Sequence, residues 1–353
     1  MSLAISIDIG GTLTKSAIVS SDGHILHEQV EPTAKTLSSS EVPDYLVGLI
    51  QRLLAEGAIQ TGDVAGACIG LPGIVEHRLG QALSCPNLRA WEGLPLTEML
   101  SARIGMPIWI EKDANLAALG EFWLGAACGV RYNICLTLGT GIGAGIILNG
   151  QLYRGSWGGA GEIGHIILVR DGPRCSCGNR GCLEALASAS AIAREGQAAA
   201  ERAPDSLLWS LADGKRDSIS AEVVFKAARQ GDVTAARVVD TAVEYLGLGV
   251  ASMVNVFNLD LVVLAGGMAA AGEQILEPVR MVVQQRARQP LAARVKVELT
   301  RLGAQAGTLG GAFLVFQATG MQLLSPYAPL YCDETRKEVE QGHNSEVAIS
   351  SRT

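Results

Sequence analysis

ISIDIGGTLTKSAIV, residues 5–19, lies over ICLTLGTGIGAGIIL, residues 134–148, when it is shifted by 129 positions (134 − 5). Ile5 then meets Ile134 and Gly10 meets Gly139, and in both copies a glycine turn joins two apolar strands. Glycine lacks a Cβ, so such a turn lets backbone N–H groups approach an anion closely. Two similar hairpins, one in each half of the chain, predict two related lobes facing a common cleft.

The elements around these hairpins read as an alternation of strands and helices. KSAIVSS and HILHEQV follow as strands, and SEVPDYLVGLIQRLLAEG carries an apolar stripe at Tyr45, Leu46, Leu49, Ile50 and Leu53 that predicts a helix. VAGACIGLPG and MPIWIEKDA return to strand, the second ending where the helix DANLAALGEFWLG opens. In the second half, helices are expected at 184–202, 232–257 and 273–288, and strands at 260–265 and 294–300.

Composition narrows the function classes. The 353 residues are 48% hydrophobic and 18% charged, enough for two packed cores. A net charge of −7 without any Lys/Arg cluster argues against a nucleic-acid surface. The uncharged stretch 132–153 is broken by glycines and alternates like a hairpin, and 245–272 is divided by Asp260, so no membrane span is expected. The chain reaches its first strand at once, which predicts no signal peptide and a reducing, cytoplasmic setting. The last residues are polar enough to read as a tail.

DIGGT at 8–12 and LGTGIG at 138–143 are candidate phosphate turns, with Gly10, Gly11, Gly139 and Gly141 at the bends and Thr12, Thr14 and Thr140 adding hydroxyls. Asp8 is placed to reach a magnesium shell. Neither GxxxxGK[ST] nor GxGxxG leading into a helix is present. AGGMA at 265–269, after the strand LVVLA, offers Gly266 and Gly267 as a third turn suited to a nucleotide base or ribose.

GPRCSCGNRGCLEALAS, residues 172–188, crowds three of the eight cysteines. A Cys175–Cys177 disulfide is awkward with one residue between, whereas His165, ten residues upstream, completes a set of His165, Cys175, Cys177 and Cys182. Four N/S ligands fill a tetrahedral zinc and leave no open position, which predicts a structural site.

DIGGT with Lys15, LPG, CPNL, KDAN, LGTGIGAGI, GEIGH, CxCGxxGCxE and LAGGM follow one another as in the ROK family of sugar kinases, which the chain resembles over residues 3–318. The resemblance implies an α/β, two-lobed actin-like, hexokinase-type (ribonuclease H-like) ATPase fold that takes ATP and a hexose in the interlobe cleft. The lobes are expected at 1–115, completed by the helix near 305–320, and at 116–304 with the zinc-binding loop, leaving 321–353 as tail. Asp113 takes the role of general base by that resemblance, although Asp is also a favoured helix cap. Magnesium is expected to be held mainly by nucleotide and water, with Asp8 in the outer shell. Glu162, His165 and Glu184 match sugar-contacting positions, with Gly73 and Asn87 beside them; the two glutamates could instead be surface carboxylates. His165 would serve zinc with one ring nitrogen and a sugar hydroxyl with the other.

The expected activity is ATP-dependent phosphorylation of a hexose or N-acyl-hexosamine, the alternative being a sugar-responsive regulator without catalysis. Regulators of the family carry an N-terminal helix-turn-helix, for which no room is expected before Ile5. The resemblance also suggests a homodimer. Lys112 departs from the pattern: relatives that act on glucose have Asn before the catalytic Asp, and WEG at 91–93 replaces their W-x-N. Lys only donates and adds a charge, so glucose is expected to be a poor substrate, unless Lys112 turns outward to Glu111 or another surface carboxylate.

Overall fold

The structure, a computed structural model, describes residues 2–86 and 88–321, so Asn87 and the expected tail beyond Met321 lie outside the described residues. β1 (Leu3–Ile9), β2 (Leu13–Ser20) and β3 (Ile25–Pro32) form an antiparallel meander. After α1 (Val42–Glu56), β4 (Val64–Leu71) pairs parallel to β1. A small hairpin, β5 (Ile74–Glu76) and β6 (Gln81–Ser84), and α2 (Leu96–Ile104) precede β7 (Ile108–Lys112), which pairs parallel to β4. α3 (Asp113–Leu124) starts directly at the end of β7.

The second half repeats the plan. β8 (Asn133–Leu138), β9 (Ile142–Leu148) and β10 (Gln151–Leu152) form the meander. The helical insert is α4 (Leu183–Ala187), α5 (Ala189–Glu201), α6 (Leu207–Leu211), α7 (Ala221–Arg229) and α8 (Val233–Phe257). β11 (Leu261–Ala265), α9 (Glu273–Arg286), α10 (Leu291–Arg294), β12 (Lys296–Leu299) and α11 (Ala306–Ala318) complete it. The strand orders, β3-β2-β1-β4-β7 and β10-β9-β8-β11-β12, are the same path traced twice. The 129-residue shift places β1 and β2 on β8 and β9, so the repeat seen in the sequence is a repeat of structure.

Side-chain size explains the layering. Ile5, Ile7, Ile9, Ile18, Ile69 and Leu71 face α1 and α2. The opposite face of the same sheet carries Ala4, Ala17 and Cys68, small enough for α11 to lie close upon it. α3 and α11 share that middle layer with the inner face of the second sheet, through Cys135, Ile147 and Val263. The outer face of the second sheet packs on α4, α5, α8 and α9 through Leu136, Ile146 and Val262. Glycines let α3 and α11 touch backbone to backbone: a Cβ on Gly310 would collide with the Leu116 carbonyl, and one on Gly120 with that of Ala306.

One expectation is corrected, and three features are new. The helix expected at 184–202 is two helices, because Ser188 ends α4 and caps α5, its Oγ accepting from the Ala191 N–H at 3.1 Å. The β5–β6 hairpin and helices α6 and α7 were not anticipated. Among the described residues no helix is long and apolar enough to cross a membrane.

Candidate functional site

The polar residues singled out above converge beyond the carboxyl ends of β1, β7, β8 and β11, where α/β sheets bind ligands. Asp8 ends β1 on the face that α11 covers, and Gly307 permits the approach, since a Cβ there would strike the Asp8 carboxylate. Burial raises Asp8 to about 6, opposed by Lys15, its cross-strand partner on β2. Lys15 donates from Nζ to the Ala304 carbonyl at 2.8 Å.

β7 delivers Glu111, Lys112 and Asp113 in succession. Asp113 is the first residue of α3, Lys112 occupying the cap position, and its Oδ1 accepts the Ala114 N–H at 2.6 Å. Protein surrounds its carboxyl while part of the residue stays open to the cleft. Burial, then the charge of Asp8, raises Asp113 to about 7 against the opposing influences of the Ala114 N–H and Lys112.

Lys112 does not turn outward. It is 4% exposed, and its Nζ donates to Glu162 Oε1 at 2.5 Å and to the Gly161 carbonyl at 3.3 Å. Glu111 is engaged elsewhere: it is 2% exposed and accepts from Arg154 Nε at 2.6 Å, from Asn115 Nδ2 at 2.8 Å and from the Lys112 N–H at 2.9 Å. The Glu111–Arg154 pair escaped the sequence reading. A carboxylate inside the apolar strand IWIEK was the available signal, but its partner is 43 residues away.

From Glu162 the constellation runs to the cysteines. Glu162 Oε2 lies 3.7 Å from His165 Nε2, and His165 Nδ1 lies 3.5 Å from Cys175 Sγ. Cys177 and Cys182 bring their sulfurs to 3.8 Å, and the ligand atoms of all four residues fall within 4.8 Å of one another. A tetrahedron with Zn–S bonds of about 2.3 Å and a Zn–N bond of about 2.0 Å has edges of about 3.8 Å between sulfurs and about 3.5 Å from sulfur to nitrogen. The donor set therefore suits that ion in chemistry, and the two closest edges already have its spacing.

Glu184 opens α4 just after Cys182 and is no free surface carboxylate. Its Oε1 accepts from Ser176 Oγ at 2.9 Å and its Oε2 from the Ile142 N–H at 3.1 Å, which seats it against Gly141. The turns at Gly10–Thr12 and Gly139–Gly141 leave Gly11, Thr12 and Thr140 exposed, with N–H groups that donate to nothing among the described residues. Gly266 packs on the backbone of Leu138, bringing the exposed Gly266–Gly267 turn beside the second of these.

Thr14 departs from its expected role as a phosphate ligand. It is 1% exposed on the opposite face of the sheet, its hydroxyl 3.2 Å from that of Thr33. Alternation along β2 places Lys15 toward Asp8 and Thr14 away from it. Gly73, with φ +97°, packs under the Ser84 carbonyl and Pro86, immediately before Asn87.

Known proteins resemble this chain along nearly all of its described residues. The glucokinase of Thermotoga maritima is 36% identical over 316 residues, covering 90% of this chain and 98% of that protein. The xylose repressor of Caldicellulosiruptor bescii is 31% identical, with 87% of this chain and 76% of the repressor covered. Among solved structures, the ROK family glucokinase of Streptomyces griseus in complex with glucose and AMPPNP superimposes with a TM-score of 0.77 at 35% identity, over 89% of this chain and 99% of that one. The two-lobed, actin-like and hexokinase-type fold implied by the sequence is thereby shown. The ROK family model itself spans residues 4–318, which hold both sheets but for Leu3 and every site residue described above, and the chain belongs to the ROK family.

Proposed function

We propose that the chain is an ATP-dependent sugar kinase that phosphorylates one hydroxyl of a hexose or an N-acyl-hexosamine. The observation that carries this reading is Asp113, a cleft carboxyl raised to about 7 and placed beside Lys112 and Glu162. A general base works best when its pKa lies near the working pH. Similarity to glucokinases along nearly their whole length supports the same reading.

Asp113 takes the proton of the attacking hydroxyl, and the backbone N–H groups of Gly11, Thr12, Thr140 and Gly141 hold phosphate oxygens. Lys15 places its charge beside Asp8, whose carboxylate would help hold the metal through its water. Gly266 and Gly267 leave room for the nucleoside. ATP with Mg²⁺ supplies the phosphoryl group and neutralises its charge when bound. Glu162, His165 and Glu184 orient the sugar, with Gly73 and Asn87 as further candidates by the resemblance. His165, Cys175, Cys177 and Cys182 hold a structural zinc that pins the loop of Glu184 to that of Glu162. Residues 1–115 with 305–320 and residues 116–304 form the two lobes, and the active form is a homodimer in the cytoplasm.

The test is incubation of the protein with ATP, Mg²⁺ and a panel of hexoses and N-acyl-hexosamines, following ADP and sugar phosphate together. The named relatives make glucose the first sugar to try, and Lys112 argues for a different hydroxyl arrangement or substituent. Turnover of at least one sugar is expected. Sugar binding without turnover would replace the kinase with a regulator.

A further inference from the structure

An ammonium carries three donors and no acceptor. Lys112 directs one to Glu162 Oε1 and one to the Gly161 carbonyl, and no third acceptor exists for it among the described residues. The side chain is nevertheless only 5% exposed, one residue from Asp113. The geometry around it is built. Gly161 needs its φ of +83° and its bare Cα, since a Cβ would come within 2.5 Å of the Ala144 carbonyl, and this conformation turns its own carbonyl to Lys112. Glu111 and Arg154 brace the same two segments from the other side, with the opposite polarity: acid on β7 and base on the segment that leads to Glu162. Both ion pairs thus hold residues 154–162 to the end of β7.

Resting on the kinase reading, we infer that Lys112 and Glu162 form a donor–acceptor fork that reads one ring hydroxyl of the sugar near the hydroxyl that is phosphorylated. The ammonium donates to the oxygen of that hydroxyl, and the Glu162 carboxylate accepts its proton. An amide at position 112 would tolerate a hydroxyl in either sense, because it both donates and accepts, whereas Lys112 imposes one direction. The fork therefore makes Lys112 a specificity-determining residue. It selects sugars whose hydroxyl at this one ring position is present and correctly oriented.

The experiment compares kcat/KM for the best sugar of the panel with that for each of its monodeoxy and monodeoxyfluoro derivatives, in the wild type and in Lys112→Met. Hydrogen bonds to charged groups contribute enough that loss of the read hydroxyl should lower kcat/KM by roughly 10- to 200-fold at one ring position. Fluorine, which accepts and cannot donate, should recover part of that loss. In Lys112→Met the penalty at this position should fall to that of the remaining Glu162 bond and the partial recovery by fluorine, which only the ammonium can give, should vanish, while the penalties elsewhere stay as they were, with the effect expressed in KM. Lys112→Met leaves Glu162 without its partner, so the Lys112→Met/Glu162→Gln pair, neutral on both sides, is measured in parallel, and there the penalty should collapse to a few-fold. Deoxy penalties that are unchanged at every position in a folded variant would overturn the inference and leave the kinase reading intact. Failure of every sugar to turn over would remove the kinase reading and the fork with it.

Discussion

Asp8 and Asp113 meet in the cleft as two carboxyls that burial holds near neutrality, at about 6 and about 7. If Asp113 is the base, kcat/KM should rise with pH through about 7 as its proton is lost, and Asp113→Asn should lower turnover by roughly 10²–10⁴-fold while sugar binding persists. The same shift has a consequence for stability. The folded state holds this proton more tightly than the unfolded chain, so the carboxyl favours folding below about pH 4, and that contribution is lost as pH rises through about 7. Asp113→Asn should therefore stabilise the protein by about 2 kcal/mol at pH 8, allowing for the part of the residue that is open to the cleft, and by almost nothing at pH 4. Calorimetry at the two pH values checks this; an equal melting temperature for both proteins at pH 8 would mean that the carboxyl is not held near neutrality. Asp113 could be singled out in the sequence through the run of family motifs around it, since its place where a strand gives way to a helix reads by itself as a cap. The fate of Thr14 was not, because which face of β2 meets α11 is decided by packing.

The 172–188 segment shows what a short stretch fixes by itself and what it leaves to the rest of the chain. Its cysteine spacing and the histidine ten residues upstream are local, and the four donors do converge. Cys177→Ala should lose about one zinc per chain and weaken sugar binding while ATP binding largely survives; elemental analysis and calorimetric titration with each ligand decide it, and an unchanged zinc content removes the site. The segment also contains Ser188, whose capping hydrogen bond splits the helix expected there. The β5–β6 hairpin was invisible for a different reason: strands of three and four residues carry too little alternation to stand out. Long elements with a clear period, such as α1 and α8, emerged close to their expected bounds. The Lys112–Glu162 and Glu111–Arg154 pairs could not emerge, since each joins residues 43 or more positions apart.

The repeat that gave the molecule away in its glycine turns extends through the whole order of both sheets, yet the two copies do not meet sheet to sheet. They meet through α3 and α11, at Gly120 and Gly310, where no side chain intervenes. Gly310→Ala should wedge these helices apart and destabilise the protein by roughly 1–3 kcal/mol, the usual cost of overpacking. A melting temperature within a degree of wild type would show that the helices are not in backbone contact. Most helix pairs interlock like gear teeth, so one can move along the other only by jumping a notch. Around Gly120 and Gly310 this crossing has no teeth. Toward the far end of α3 from Asp113, Phe122 and Trp123 mesh with Phe313 and Phe316 of α11, so the joint that carries Asp113 is smooth at its glycines and keyed at its aromatics.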